Sequence, residues 1–370
     1  MQITAFDKVM NFALYSLLNT FWLFLTFHIS IISMKLKQAG FFVIGIVLIL
    51  LVINNFGLAE TVSAIEHANL GWLLVAVLLQ FCFIGFFILR LKVLVNDKGY
   101  ISLPHMFRIS MSGMFVSMVT PLAKLGGEPL KMYMLQGNVG NHNASASVAI
   151  ESLVELFSSL LVIFAVAALL FGSIPPAFTT TLLIFLVVVG FAMGLLLKIF
   201  LTPHWLRKLV SWLATRMAHM LEAEPKEYAD MFSEAFYEMI RSKKRVWGAF
   251  ILSIGMKILE MARLWAVFLA LGVLLPFQYV VIIWAIILVL MFIPWLPGSL
   301  GLVEFGGISV IISFGVTSPI AASSLVLDRL MSFWLPLVIG LFAFSAAKKR
   351  GELPKISLRK KEKHTKNSNE

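Results

Sequence analysis

Charge is what this sequence has least of. Only 13% of its 370 residues are Asp, Glu, Lys or Arg, against roughly 25% in soluble globular chains. With 60% hydrophobic residues, too little polar surface remains to coat a water-soluble particle. Cysteine is nearly missing: Cys82 stands alone in an apolar run, which excludes an intrachain disulfide and any cysteine-based metal cluster. The histidines, His28, His67, His105, His142, His204, His219 and His364, show none of the HExxH spacing of a zinc site. No glycine-rich stretch leads into Lys-Ser or Lys-Thr, so Gly126-Gly127 is not a phosphate-binding P-loop. The acidic pairs have no companion nucleophile. No metal and no cofactor are therefore expected, and enzymatic chemistry has no motif behind it.

What is abundant is apolar length. Crossing the hydrocarbon layer takes about 20 apolar residues as a helix, and such runs recur at Val9–Met34, Phe41–Leu58, Gly71–Val95, His105–Thr120, Ser147–Phe171, Thr181–Ile199, Val246–Leu271, Phe277–Ile293, Leu300–Phe314 and Ile320–Ala346. The reading is an all-α polytopic membrane protein of about eight to ten hydrophobic helices. Residues 1–38 form an N-terminal hydrophobic extension, either a native first helix or a segment upstream of a start at Met34. Ile31 to Met34 lacks a small-residue cleavage site, so no cleavable signal is expected. Residues 39–346 make the transmembrane domain. Within it, 203–245 is an amphipathic insertion: Leu206, Leu209, Val210, Leu213, Met217 and Met220 recur at helical spacing among Arg207, Lys208 and Arg216, which suggests a helix lying on the membrane surface or a solvated connector. Residues 347–370 are a basic tail too polar and short to fold.

The net charge of +11 is placed in short loops and the tail. Without an aromatic-and-basic pattern on a soluble domain it does not indicate nucleic-acid binding; it indicates orientation, since Lys and Arg are retained in the cytoplasm. Lys35 with Lys37, then Arg90, Lys92 and Lys98, then Arg241 to Arg245, then Lys348 to Arg350 with the tail to Lys366 mark four cytoplasmic stations. The intervals holding Glu60 and Glu66, and Gly172 to Pro176, belong outside, and the C-terminus inside. Parity then leaves one run too many before Gly172. The expected solution is a re-entrant hairpin: His105–Thr120 enters, breaks at Thr120-Pro121-Leu122-Ala123-Lys124-Leu125-Gly126-Gly127, and returns through Glu128 to Leu135. Non-helical backbone at that depth requires protein or a water-filled cavity around it. The stretch Pro294-Trp295-Leu296-Pro297-Gly298-Ser299-Leu300-Gly301 interrupts the second half similarly, as a second hairpin or as two crossings. If both breaks are re-entrant they enter from opposite faces, as in inverted-repeat transporters.

Ionisable residues inside membrane helices cost about 2.5–3.5 kcal/mol each and demand a partner or a function. Lys124, Glu128 and Lys131 cluster at the first break, where the exposed N–H groups of a new helix favour an anion. Glu151 and Glu155, four apart, share one helix face and can pair with Lys124 or Lys131. Lys257, Glu260 and Arg263, three apart, suggest an internal ion-pair row. Glu304 follows the second break, and Asp328-Arg329 lies inside the last run. Mutual neutralisation is the plain alternative to a functional role for each.

The segment Thr120 to Glu155, with Pro121, Gly127, Glu128 and Lys131 followed by Glu151 and Glu155, resembles the flippase-like domain family named after the transmembrane region of lysylphosphatidylglycerol synthase. In the second half, Pro297-Gly298-Ser299-Leu300-Gly301-Leu302-Val303-Glu304, then Gly315, Ala321, Ala322 and Asp328-Arg329, is similar to its proline-glycine motif and terminal arginine helix. The resemblance covers about Lys35 to Ala346. The sequence departs from it at Ser152, where Arg commonly follows the first Glu, and at Ser299, where Gly is usual. The first departure removes a partner for Glu151 that Lys257 or Arg329 could replace. Lipid-modifying members join this domain to a soluble aminoacyl- or glycosyl-transferring module; none is legible here, so lysyl transfer itself is not expected. The resemblance implies a multi-pass protein of a bacterial or archaeal cell membrane that translocates an anionic or zwitterionic lipid. Its substrate-binding candidates are Lys124, Gly126, Gly127, Glu128, Lys131, Glu151, Glu155, Pro297, Gly298, Gly301, Glu304, Asp328 and Arg329. The competing readings are a membrane-embedded lipid-modifying enzyme and a non-catalytic subunit presenting lipid to a separate transferase. Membrane lipids are the expected partners in all three.

Overall fold

The computed structural model describes residues 58–95, 99–120, 126–170, 176–216, 225–291, 299 and 301–354. The expected runs Val9–Met34 and most of Phe41–Leu58, the loop positions Pro121 and Lys124, Pro297 and Gly298, and the tail from 355 lie outside these residues. Every element among the described residues is helical: α1 (Leu58–Glu66), α2 (Leu70–Val95), α3 (Leu103–Val119), α4 (Glu128–Val139), α5 (Asn141–Leu170), α6 (Pro176–Leu201), α7 (Pro203–Arg216), α8 (Pro225–Arg241), α9 (Lys243–Ala270), α10 (Phe277–Met291), α11 (Leu302–Ser313), α12 (Ser318–Arg329) and α13 (Leu335–Lys349). A five-residue π-helical turn, Leu330–Trp334, joins α12 to α13 just before Pro336. Proline cannot donate to the carbonyl four residues back, and the widened turn absorbs that defect.

Local sequence explains the boundaries. Asn69 caps α2, its side-chain oxygen accepting from the N–H groups of Gly71 at 2.9 Å and Trp72 at 3.2 Å. Glu304 reaches back to accept from the N–H of Gly301 at 2.5 Å, closing the first turn of α11. Gly301 has φ +85, and two residues earlier Ser299 has φ 54, a left-handed conformation that glycine adopts freely and serine does not. Glycine at position 299 would adopt this conformation without the steric cost that serine bears.

The chain is organised as two halves of opposite direction. α2 leads the first, α9 the second, and they pack along their whole length as an antiparallel pair. Val93 lies against Gly248 and Phe86 against Gly255; Arg263 donates to Gln80, and the Asn69 N–H donates to the Ala270 carbonyl at 2.7 Å. Each lead helix is followed by a hairpin of short helices. In the first, His105 on α3 meets Asn138 on α4 at 3.2 Å, and Ser117 accepts from the N–H of Gly127. In the second, Tyr279 stacks near Phe314, with ring centroids 5.3 Å apart, while Leu290 lies against Gly306. The hairpins occupy matching positions: α3 and α10 begin at residues 103 and 277, and α4 and α11, both 12 residues long, begin at 128 and 302. At 1.5 Å per residue such arms are about 18 Å long, well short of the roughly 30 Å hydrocarbon layer. By contrast Leu70–Val95, Asn141–Ala168 and Ser318–Lys349 are long and apolar enough to cross.

The long helix after the first hairpin starts at Asn141, six residues before the expected Ser147. The amphipathic insertion also differs from expectation. The apolar stripe of α7 and α8, including Leu206, Val210, Phe232, Ala235, Phe236 and Met239, is buried against Leu94, Ala146, Ile150, Val154 and Ala249 of the transmembrane helices. Protein, rather than a lipid surface, covers it. Elsewhere the usual polarity of a folded chain is reversed: Phe191 and Phe342 are 71% and 70% exposed, while Arg90, Glu151 and Lys257 are at most 3% exposed.

Glycines let α3 and α4 touch. A Cβ on Gly127 would fall 1.8 Å from the Gly113 carbonyl oxygen, whereas Gly137, on the same α4, has nothing within 4 Å. Gly127→Ala is expected to lower unfolding stability by about 1–3 kcal/mol and Gly137→Ala to leave it equal or raise it by up to about 1 kcal/mol; denaturant unfolding in detergent measures both.

The end of α13 is tied back to α3. Arg108 holds Glu352 through two hydrogen bonds, at 2.9 and 2.7 Å, and also donates to His105 Nδ1 at 3.0 Å. The Arg108 hydrogen bonds hold the Glu352 carboxyl below its ordinary range. A depressed folded value means that the tie contributes fully above the ordinary carboxylate range and is lost as pH falls through the folded value. Hydrogen-exchange protection of residues 347–354 should therefore persist at neutral pH and collapse below about pH 4, and Glu352→Gln should remove it at both.

Candidate functional site

The packing of α2, α4, α5 and α9 brings distant charges into one line. Lys131, one turn into α4, donates to Glu128 at 3.3 Å and to Glu151 on α5 at 3.1 Å. Glu151 also accepts from Arg90 on α2 at 3.1 Å. The same guanidinium reaches Glu155, one turn further along α5, and Glu155 in turn accepts from Lys257 on α9. Glu260 lies 3.9 Å from Lys257 and ends the series. From Glu128 to Glu260, seven side chains alternate in sign, each carboxylate between cations or at an end.

This order follows from elementary geometry. Helical neighbours four apart face one way, so Glu151 and Glu155 present two carboxylates to whatever packs against that face of α5. Only arginine offers a planar fork that can bind two carboxylates at once. Arg90 takes that place, with Ser253 at 3.2 Å and the Met256 sulfur at 3.8 Å completing its surroundings. Phe87 lies one turn back on α2, its ring 5.4 Å from the Arg90 guanidinium and 5.0 Å from Lys131 Nζ. An aromatic face so placed stabilises cations withdrawn from water.

The second half repeats the scheme with one polarity exchanged. Arg263 on α9 donates to Asp328 on α12 at 2.9 Å and to Gln80 on α2, while Ser332 supports Asp328 at 3.4 Å. Arg329 donates to Glu304, in the first turn of α11, at 2.6 Å and lies over Phe333 at 5.5 Å. Thus each lead helix gives an arginine to an acid on the helix after its hairpin, Arg90 to Glu151 and Arg263 to Asp328. Each returning arm pairs with that same helix, but as Lys131 to Glu151 in the first half and Glu304 to Arg329 in the second.

The structure brings Glu128, Lys131, Glu151 and Glu155 together and sets Glu304, Asp328 and Arg329 in a separate group. Of the expected row, Lys257 and Glu260 do pair, 3.9 Å apart, with Lys257 also held by Glu155, whereas Arg263 leaves it for Asp328 and Gln80. Neither Lys257 nor Arg329 replaces the missing partner of Glu151; Arg90 does. Gly126 and Gly127 have a packing reason for being glycine, since a Cβ on Gly126 would fall 1.7 Å from the Thr120 hydroxyl. Gly301 has a conformational one in its positive φ. Sequence reasoning missed Arg90, read as a cytoplasmic topology signal, and Gln80 and Ser332. The signal for Arg90 was its place one turn after Phe87, on the same helix side, within a run otherwise apolar from Phe81 to Leu89.

A helical bundle with apolar side chains outside and paired charges inside, assembled from oppositely directed halves with a short-helix hairpin in each, is an integral multi-pass membrane protein. The family described as the lysylphosphatidylglycerol synthase TM region matches residues 38–340, and the chain belongs to that family. Similar curated proteins include an archaeal UPF0104 membrane protein of Methanothermobacter thermautotrophicus, 26% identical over 84% of this chain and 95% of its own length. A UPF0104 membrane protein of Archaeoglobus fulgidus is 30% identical over 66% of this chain and 77% of its own length. Another, from Pyrococcus horikoshii, is 21% identical over 82% and 96%.

Breaking a buried ion pair by removing one partner costs about 3–5 kcal/mol, because the other charge is left uncompensated. Arg90→Met should therefore be more destabilising than Lys348→Met at the exposed end of α13, by about that amount in denaturant unfolding. Adding Glu151→Gln to Arg90→Met should cost less than the two single changes summed, since they share one interaction.

Proposed function

We propose that this protein moves a lipid with an anionic or zwitterionic head group between the two leaflets of a cell membrane. The observation that carries the reading is the alternating series of charges buried beside the first hairpin. Lipid tails have no need of it; a polar head group crossing a layer of low dielectric does. Both hairpins are re-entrant in this reading, their short arms meeting near the midplane beside a polar cavity. The antiparallel lead helices support entry from opposite faces.

Lys131 and Arg329, with Lys124 in the first break and the glycines and prolines of both breaks around it, hold the phosphate. Glu151, Glu155 and Glu304 balance that charge or bind a head-group amine, and Asp328 orients Arg263. In this reading the C-terminus is cytoplasmic, which the basic residues near it support. The family's description names a lipid synthase, which supports a lipid as the cargo rather than a small solute.

In proteoliposomes, exchange of labelled phosphatidylglycerol and of an aminoacylated analogue between leaflets should exceed that of empty vesicles. Lys131→Met and Glu151→Gln, verified as folded, should each slow it at least about tenfold, equivalent to about 1.4 kcal/mol in the barrier, and Lys348→Gln should not. Rates equal to empty vesicles for both lipids would overturn the proposal.

A further inference from the structure

Among the described residues three cations, Arg90, Lys131 and Lys257, serve four carboxylates. An anion joining this series would bring a further negative charge into an apolar surrounding, which is costly and is most simply relieved by one proton. The partners decide where it goes. Glu151 and Glu155 each accept from two cations, so protonating either would leave two cations undercompensated. The end members are different: Glu128 Oε2 and Glu260 Oε2 are both buried without a hydrogen-bond partner. A protonated oxygen is needed least where a cation already holds the group and most where none does.

Of the two ends, Glu128 is the one that an arriving ligand would disturb. It shares Lys131 with Glu151, at 3.3 Å against 3.1 Å, so it is the weaker claimant on that ammonium. It also opens α4 directly at the break, whereas Glu260 sits within the long helix α9. The groups facing it are Lys131 on its own helix, Glu151 on α5 and, behind that, Arg90 on α2. Its chain neighbour Gly127 packs on Gly113 and Ser117 of α3, and among the described residues of α3 the stretch Ile109 to Val119 contains no ionisable residue.

We infer that Glu128 is a proton-binding site linked to occupation of Lys131 by an anionic head group. When a phosphate monoanion takes the Lys131 ammonium, Glu128 loses its cation, and its Oε2 accepts a proton from water. One negative charge and one proton then enter together, the carboxylate becomes a neutral acid, and no net charge is added to the interior. Release of the phosphate returns Lys131 to Glu128, which ionises and gives the proton back to water. The inference rests on the translocation reading for its purpose, but the proton site itself does not need transport to be detected.

The test is an infrared titration of the carboxyl stretch of the full chain in lipid nanodiscs without added anionic lipid, followed by addition of short-chain phosphatidylglycerol at fixed pH. Addition of the lipid should raise the protonated-carboxyl signal by about one group per chain and take up about one proton in lightly buffered solution. Glu128→Gln should lose both changes, Glu128→Asp should keep them with a shifted midpoint, and Glu260→Gln should keep them. A signal that survives in Glu128→Gln and vanishes in Glu260→Gln would overturn the assignment. Bound lipid without proton uptake in the unmodified chain would overturn the linkage. A lipid-dependent proton on Glu128 together with no leaflet exchange would count against translocation and leave the proton site standing.

Discussion

A charge withdrawn from water must be met by a charge of opposite sign, and in this protein that requirement fixes which helices lie together. Arg90 is the centre of it. Buried on α2, it cannot lose its proton, and its fork is satisfied only if two carboxylates of α5 stand beside it. Those carboxylates in turn need Lys131 from the hairpin and Lys257 from α9. Helices α2, α4, α5 and α9, of which only α4 and α5 are consecutive, are thus held in register by a single series of ion pairs. Apolar packing gives the bundle most of its cohesion, but apolar contacts between helices in lipid are weakly directional. The ion pairs supply the direction.

The same requirement acts twice, in halves that run opposite ways. In each, an arginine of the lead helix meets an acid beyond the hairpin, and the hairpin's returning arm adds one more charge to the same helix. The exchanged polarity of that last contact, lysine to glutamate in one half and glutamate to arginine in the other, makes the halves chemically unequal. The second group is balanced, with Arg263 and Arg329 against Asp328 and Glu304. Among the described residues the first carries an acidic excess, and there only the first has buried carboxylate oxygens without hydrogen bonds. Similar backbones therefore present two different electrostatic environments.

Much of this was legible in the residues. Charge scarcity and apolar length gave the all-helical membrane class; a parity count over basic loops pointed to a break between Thr120 and Glu128; and the spacing of Glu151 and Glu155 placed both on one face. These inferences use local chemistry, which a linear sequence contains. Arg90 was misread because a basic residue near a helix end serves topology or pairing equally well, and only the neighbour across the helix interface distinguishes them. Arg263 was grouped with Lys257 and Glu260 for the corresponding reason: spacing along a helix gives direction, but α9 is surrounded, and different faces of it meet α2, α5 and α12.

The sequence by itself determined that the chain is a multi-pass helical membrane protein, where its helices are interrupted, and which residue types stand at those interruptions, because hydropathy, glycine, proline and charge act over a few neighbouring residues. Tertiary structure alone decided that α2 and α9 are antiparallel partners, that the stripe of α7 and α8 is covered by protein, and that Arg90 and Arg263 each find an acid more than sixty residues away. Those outcomes depend on desolvation and pairing between surfaces that meet only after the helices have assembled, and no local pattern encodes which surface will be opposite.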